Sequence, residues 1–113
     1  MTEKEFDKAM SLLFEQKRYD EIPRLKKQYE DSFWLNEYPK KSKEEKVQYW
    51  TTYFNVQMRR SGEQGYEELS VFDGESFSYC LSKEPDFKEL LPEVLKQMSL
   101  SKERIYPLFG LGI

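Results

Sequence analysis

Tyr66-Glu-Glu-Leu-Ser-Val-Phe-Asp-Gly-Glu-Ser-Phe-Ser-Tyr-Cys-Leu-Ser82 is the stretch on which the fold class turns. Apolar and polar residues alternate on either side of Asp73-Gly74, the pattern of two half-buried strands around a tight turn. A two-residue loop would set Val71 opposite Ser76. A three-residue loop sets Val71 beside Phe77 and Leu69 beside Tyr79 and so builds one apolar face, which favours the longer turn. A lone two-stranded hairpin is marginal in water, so it must pack on helices or find further strands. The fold class expected on this basis is α+β and helix-dominated, with all-α as the alternative.

Immediately upstream, residues 44–60 carry two patterns at once. Val47, Trp50, Phe54 and Met58 fit a helical face that ends at Arg59, Arg60 and Gly62, while Trp50, Thr52, Phe54, Val56 and Met58 alternate like a strand. Ser42 with Glu45 forms a capping-box pair at the start, so the segment is read as a middle helix. Were it a strand, the centre of the chain would be a three-stranded meander.

Toward the N-terminus, Thr2-Glu3-Lys4-Glu5 has the form of a capping box, and Phe6, Ala9, Met10, Leu12 and Leu13 recur at helical spacing, giving a first helix near 3–16. Asp20 is placed to cap a second helix with Pro23 in its first turn and Ile22, Leu25, Tyr29 and Phe33 on one face. The two are expected to pair as an antiparallel hairpin, followed by a polar connection over 35–43. Beyond the central stretch, Asp86 and Glu89 frame the start of a helix carrying Leu90, Leu91, Val94, Leu95 and Met98, which Pro92 should kink or split. A short helix near 101–106 and an apolar tail from Pro107 to Ile113 complete the reading. The tail either folds back on the core or enters a partner's groove; folding back is preferred because apolar chain ends are normally docked.

At 113 residues this is the size of a single domain, spanning 1–113, and 8 Phe, 8 Tyr and 2 Trp supply the large groups of a core despite 35% charged residues. The formal net charge of −3 gives nucleic acid no general attraction. No stretch approaches the roughly 18 consecutive apolar residues that span a bilayer, and Met1 to Lys8 lead into no export signal. A lone cysteine, Cys80, cannot close an internal disulfide and is commoner in reducing compartments, so a cytoplasmic location is expected.

Histidine is absent from the chain, which removes the commonest proton shuttle, every Ser-His or Cys-His nucleophile pair and the commonest transition-metal ligand. With one cysteine besides, no zinc site of ordinary composition can be built. Oxygen-ligand sites lack an EF-hand spacing. Cys80 has no basic neighbour nearer than Lys83 in sequence and reads as a structural thiol. Gly62 to Gly65 lacks the lysine and spacing of a phosphate loop, and adjacent carboxylates such as Glu67 and Glu68 point apart on any regular element. No catalytic residue, metal ligand or cofactor site is therefore expected, and the chain is read as a non-enzyme.

Two surface features remain. Residues 63–89 hold eight acids against two bases, Lys83 and Lys88, with Tyr66, Phe72, Phe77, Tyr79 and Phe87 among them. Rings that anchor and carboxylates that steer suit the binding of a basic protein, with Tyr66, Glu67, Glu68, Phe72, Asp73 and Glu75 as the contact residues. The expected function is that of a small protein-binding protein of inhibitor or immunity type, the last word resting on analogy of size and charge. The second feature is the basic run Lys40, Lys41, Lys43 and Lys46, joined by Arg59 and Arg60 if 44–60 is a helix. With Tyr38, Tyr49, Trp50 and Tyr53 nearby it offers an alternative, a nucleic-acid-associated regulator, against which stand the interrupting Glu37, Glu44 and Glu45.

Overall fold

The computed structural model describes residues 1–112, and every regular element among them is helical. The α+β expectation is thus corrected to all-α, and the correction lies wholly in the stretch from Tyr66 to Ser82. Glu68–Val71 forms one tight 3-10 turn, and Gly74–Lys83 forms a helix. Asp73, read as a turn residue, is the N-cap of that helix: the Ser76 N–H donates to its Oδ1 at 2.8 Å. Asp before Gly serves either a hairpin turn or a helix start, so the local signal does not choose. The spacing does, because Phe77, Cys80, Leu81 and Glu84 fall at i, i+3, i+4 and i+7 and are all half-buried or buried.

Two compact units make up the chain, residues 1–41 and residues from 42 on. In the first, α1 (Glu3–Glu15) and α2 (Ile22–Ser32) pair antiparallel as expected. Phe6 stacks on Tyr29 at 4.4 Å, and the Met1 ammonium donates to Ser32 Oγ at 2.8 Å, so the start of α1 lies against the end of α2. Thr2 caps α1 by accepting the Glu5 N–H. Asp20 caps nothing; Tyr19–Glu21 instead forms a 3-10 turn that runs directly into α2, with Pro23 in the first turn, where its missing N–H has no intrahelical acceptor. The connection expected over 35–43 is ordered helix in its first part: a π-turn at Phe33–Glu37 leads to a 3-10 turn at Tyr38–Lys40. It is built around aromatic contacts, Tyr38 being 3% exposed with the Trp34 ring at 4.8 Å. No residue of α1 or α2 is fully buried.

The second unit is organised on α3 (Lys43–Glu63), the middle helix expected from the sequence. Its capping box is complete, with Ser42 Oγ accepting the Glu45 N–H and Glu45 Oε1 accepting the Ser42 N–H. The strand-like alternation through 50–58 is incidental, since Val47, Trp50, Thr51 and Phe54 are buried and Thr52 is exposed. Against α3 pack the Glu68–Val71 turn and α5 (Phe87–Gln97), while α4 (Gly74–Lys83) lies on α5 and α6 (Lys102–Ile105) leads into the tail. Phe54 is the centre, with ring centroids of Phe72 at 5.0 Å, Phe109 at 6.1 Å and Phe87 at 6.2 Å. Of the kink or split expected at Pro92, the split does not occur. The helix is continuous through it because Phe87, Leu90, Leu91, Val94 and Leu95, all buried, recur on one face across the proline and their burial offsets the roughly 3 kcal/mol an internal proline costs. The tail folds back: Phe109 is 3% exposed and meets Phe54, Phe72 and Phe77, while Leu108 stays outside. Ile113 lies outside the described residues.

One terminating device recurs. After α1 and after α5 the second residue past the helix turns left-handed, Lys17 at φ 56° and Ser99 at φ 58°. In each case the next N–H reaches back to the helix, Arg18 to the Leu13 carbonyl and Leu100 to the Leu95 carbonyl, both at 2.9 Å. Gly65, not Gly62, ends α3 in the same way, with φ 85° and the Tyr66 N–H on the Ser61 carbonyl. Glycine is favoured there because a Cβ strains the left-handed conformation. Lys17→Gly and Ser99→Gly are each expected to raise stability by about 0.5–1 kcal/mol, and Gly65→Ala to lower it by about 1 kcal/mol, read as denaturation midpoints.

Candidate functional site

The six residues proposed as a contact surface lie on the segment that leaves α3 and enters α4, within the second unit. Once Gly65 turns the chain, Tyr66 stands 66% exposed, with Glu67 and Glu68 exposed after it. This corner is pinned to α3: the Glu67 carbonyl accepts from Ser61 Oγ at 3.1 Å and Ser70 Oγ at 2.6 Å. The Glu68 side chain lies over Gly62, within 3.5 Å of the place a Cβ would take. A shallow groove lined by Asn55, Met58, Arg59, Gly62, Glu63 and Glu68 opens beside it.

Phe72 is placed otherwise. At 2% exposed and stacked on Phe54, its ring belongs to the core and presents nothing to a partner. Asp73 is exposed, yet its carboxylate is engaged at the N-terminus of α4. Glu75, in the first turn of α4, is exposed, and its charge is favoured by the helix dipole. Tyr66, Glu67, Glu68 and Glu75 are therefore the members that face solvent with side chains not committed to capping or core. Of the other rings in 63–89, Phe87 is fully buried and Phe77 half-buried. Tyr79, 37% exposed, stacks on Tyr53 at 5.8 Å under the Lys83 amine.

The acidity of this segment is likewise divided. Glu63 pairs across one turn with Arg59 at 3.9 Å, both well exposed. Glu84 is 7% exposed and its Oε1 lies 3.4 Å from Lys46 Nζ, whose side chain is 23% exposed. Lys46 is the member of the basic run that the structure ties to the acidic segment, which the sequence reading missed. The signal was present, since Glu84, the C-cap residue of α4, sits four residues after Cys80 and seven after Phe77, in line with the apolar face of that helix, but it is visible only once α4 is a helix. Arg59 and Arg60 do not join Lys43 and Lys46: with α3 helical they stand about 20–25 Å farther along its axis, at about 1.5 Å per residue. Lys40 and Lys43 are exposed and Lys41 half-buried.

Cys80 is fully buried, and burial pushes its thiol up to about 12. Burial also raises Tyr53, helped by the nearby Cys80, Tyr79 and Asp73. A thiol so far from its thiolate form is a poor nucleophile. Native protein at pH 8 is expected to resist alkylation by iodoacetamide for hours, while unfolded protein reacts within minutes; modification at equal rates would contradict the buried placement. Because the folded thiol keeps its proton to about 12 against 9.0 for a free one, the fold loses stability as pH rises through that window.

Among the described residues, no group of three or more Asp, Glu or Cys side chains is arranged to hold a metal ion, and no helix is long and apolar enough to cross a membrane. Comparison with known proteins gives no likeness to argue from: no family model, no characterised protein and no solved structure matches the chain.

Proposed function

We propose that the chain is a non-catalytic protein-binding protein of reducing compartments, of the inhibitor type, that engages a basic partner through the corner between α3 and α4. The observation that carries this reading is the presentation of Tyr66 with Glu67 and Glu68. A large amphipathic ring and two carboxylates are held out to solvent by a turn fixed to α3 at the Ser61 hydroxyl, with Glu75 exposed at the start of the next helix. Fixed presentation lowers the ordering cost of binding, the ring supplies apolar area with a polar tip, and the carboxylates steer encounter. The contact set is therefore Tyr66, Glu67, Glu68 and Glu75, with Phe72 and Asp73 serving the fold. The nucleic-acid alternative has less behind it, since Lys46 is engaged with Glu84 and the arginines lie at the far end of α3.

The test is a triple reversal, Glu67→Lys with Glu68→Lys and Glu75→Lys, which leaves the Asp73 cap in place. Immobilised wild-type chain, at low salt, is expected to retain a basic protein that the triple variant loses, and association of the purified pair is expected to slow about tenfold or more, the difference shrinking as salt rises. Far-UV circular dichroism of the variant should match the wild type. Equal capture and equal association by the two chains would sink the proposal, as would retention on heparin that depends on Lys40 and Lys43.

A further inference from the structure

We draw no further inference here: the strongest candidate, the groove between α1 and α2 floored by Ala9, Leu12, Leu13 and Leu25, is an unpartnered apolar face, and nothing in the structure shows what covers it.

Discussion

Phe54→Ala is expected to cost about 3–5 kcal/mol of unfolding free energy, the largest effect of any single truncation proposed for this chain. The ring is 0% exposed and touches aromatic groups from the turn before α4, from α5 and from the tail, namely Phe72, Phe87 and Phe109. Removing it takes away the transfer free energy of the ring and leaves a cavity walled by three other rings, which are held by separate segments and cannot all collapse inward. A domain of this size has about 5–15 kcal/mol in total, so the variant should populate unfolded chain measurably at room temperature. Urea denaturation followed by circular dichroism reads the loss. Phe14→Ala, at a 53% exposed ring, is the control and should fall within about 1 kcal/mol of wild type. If Phe54→Ala and Phe14→Ala lose similar amounts, the core is not centred where the structure puts it.

Glu84→Ala is expected to cost about 2–3 kcal/mol, an outcome unusual for an acidic residue in so charged a chain. Glu84 is 7% exposed and its carboxylate faces Lys46, so truncation takes an anionic acceptor away from an ammonium whose side chain is itself only 23% exposed. The figure is set below that of a fully buried pair because the Lys46 side chain keeps about a quarter of its surface in water. Removing both charges tells interaction from burial: Lys46→Met with Glu84→Met should recover most of the loss, since two thioether chains fill a similar volume with no desolvation penalty. Glu75→Ala, at an exposed position, should cost less than about 0.5 kcal/mol. A double-mutant cycle in denaturant measures all of this, and additivity of the two single losses would mean that the pair is not coupled.

These two residues also show where reading the chain stops working. The position of Phe54 at i+7 from Val47 and i+4 from Trp50 marks it as core as soon as 44–60 is taken as helix, and Ser42 with Glu45 supplies the reason to take it so. Glu84 gave no such notice. Its role depends on Lys46, 38 positions earlier, and on α4 being a helix, which the alternation through 66–82 argues against.

The candidate site divides along the same line. That Tyr66, Glu67, Glu68 and Glu75 are polar or amphipathic residues beside a glycine break is legible in the order of amino acids, and so is their excess of negative charge. Which rings of the segment face outward is not. Phe72 and Tyr66 stand six residues apart and look equivalent as anchors, yet a 3-10 turn at Glu68–Val71 sends one into the core while Gly65 sends the other into solvent.

By itself, the sequence determined the elements whose evidence is local: the caps at Thr2 and Ser42, the spacing of apolar residues in α1, α2, α3 and α5, and the lack of histidine, the commonest proton shuttle and transition-metal ligand. Those features act over three or four residues, the range over which one turn of helix satisfies its own hydrogen bonds. Only the tertiary structure decided the class of the stretch from Tyr66 to Ser82. Its pattern satisfies a period of two and a period of 3.6 almost equally, and Asp73-Gly74 starts a helix as readily as it turns a hairpin. Helix wins because it sets Phe77, Cys80, Leu81 and Glu84 on one side, where Phe87, Phe109 and Lys46 are waiting to meet them. A hairpin would have turned one of its faces, and half of these partners, to water.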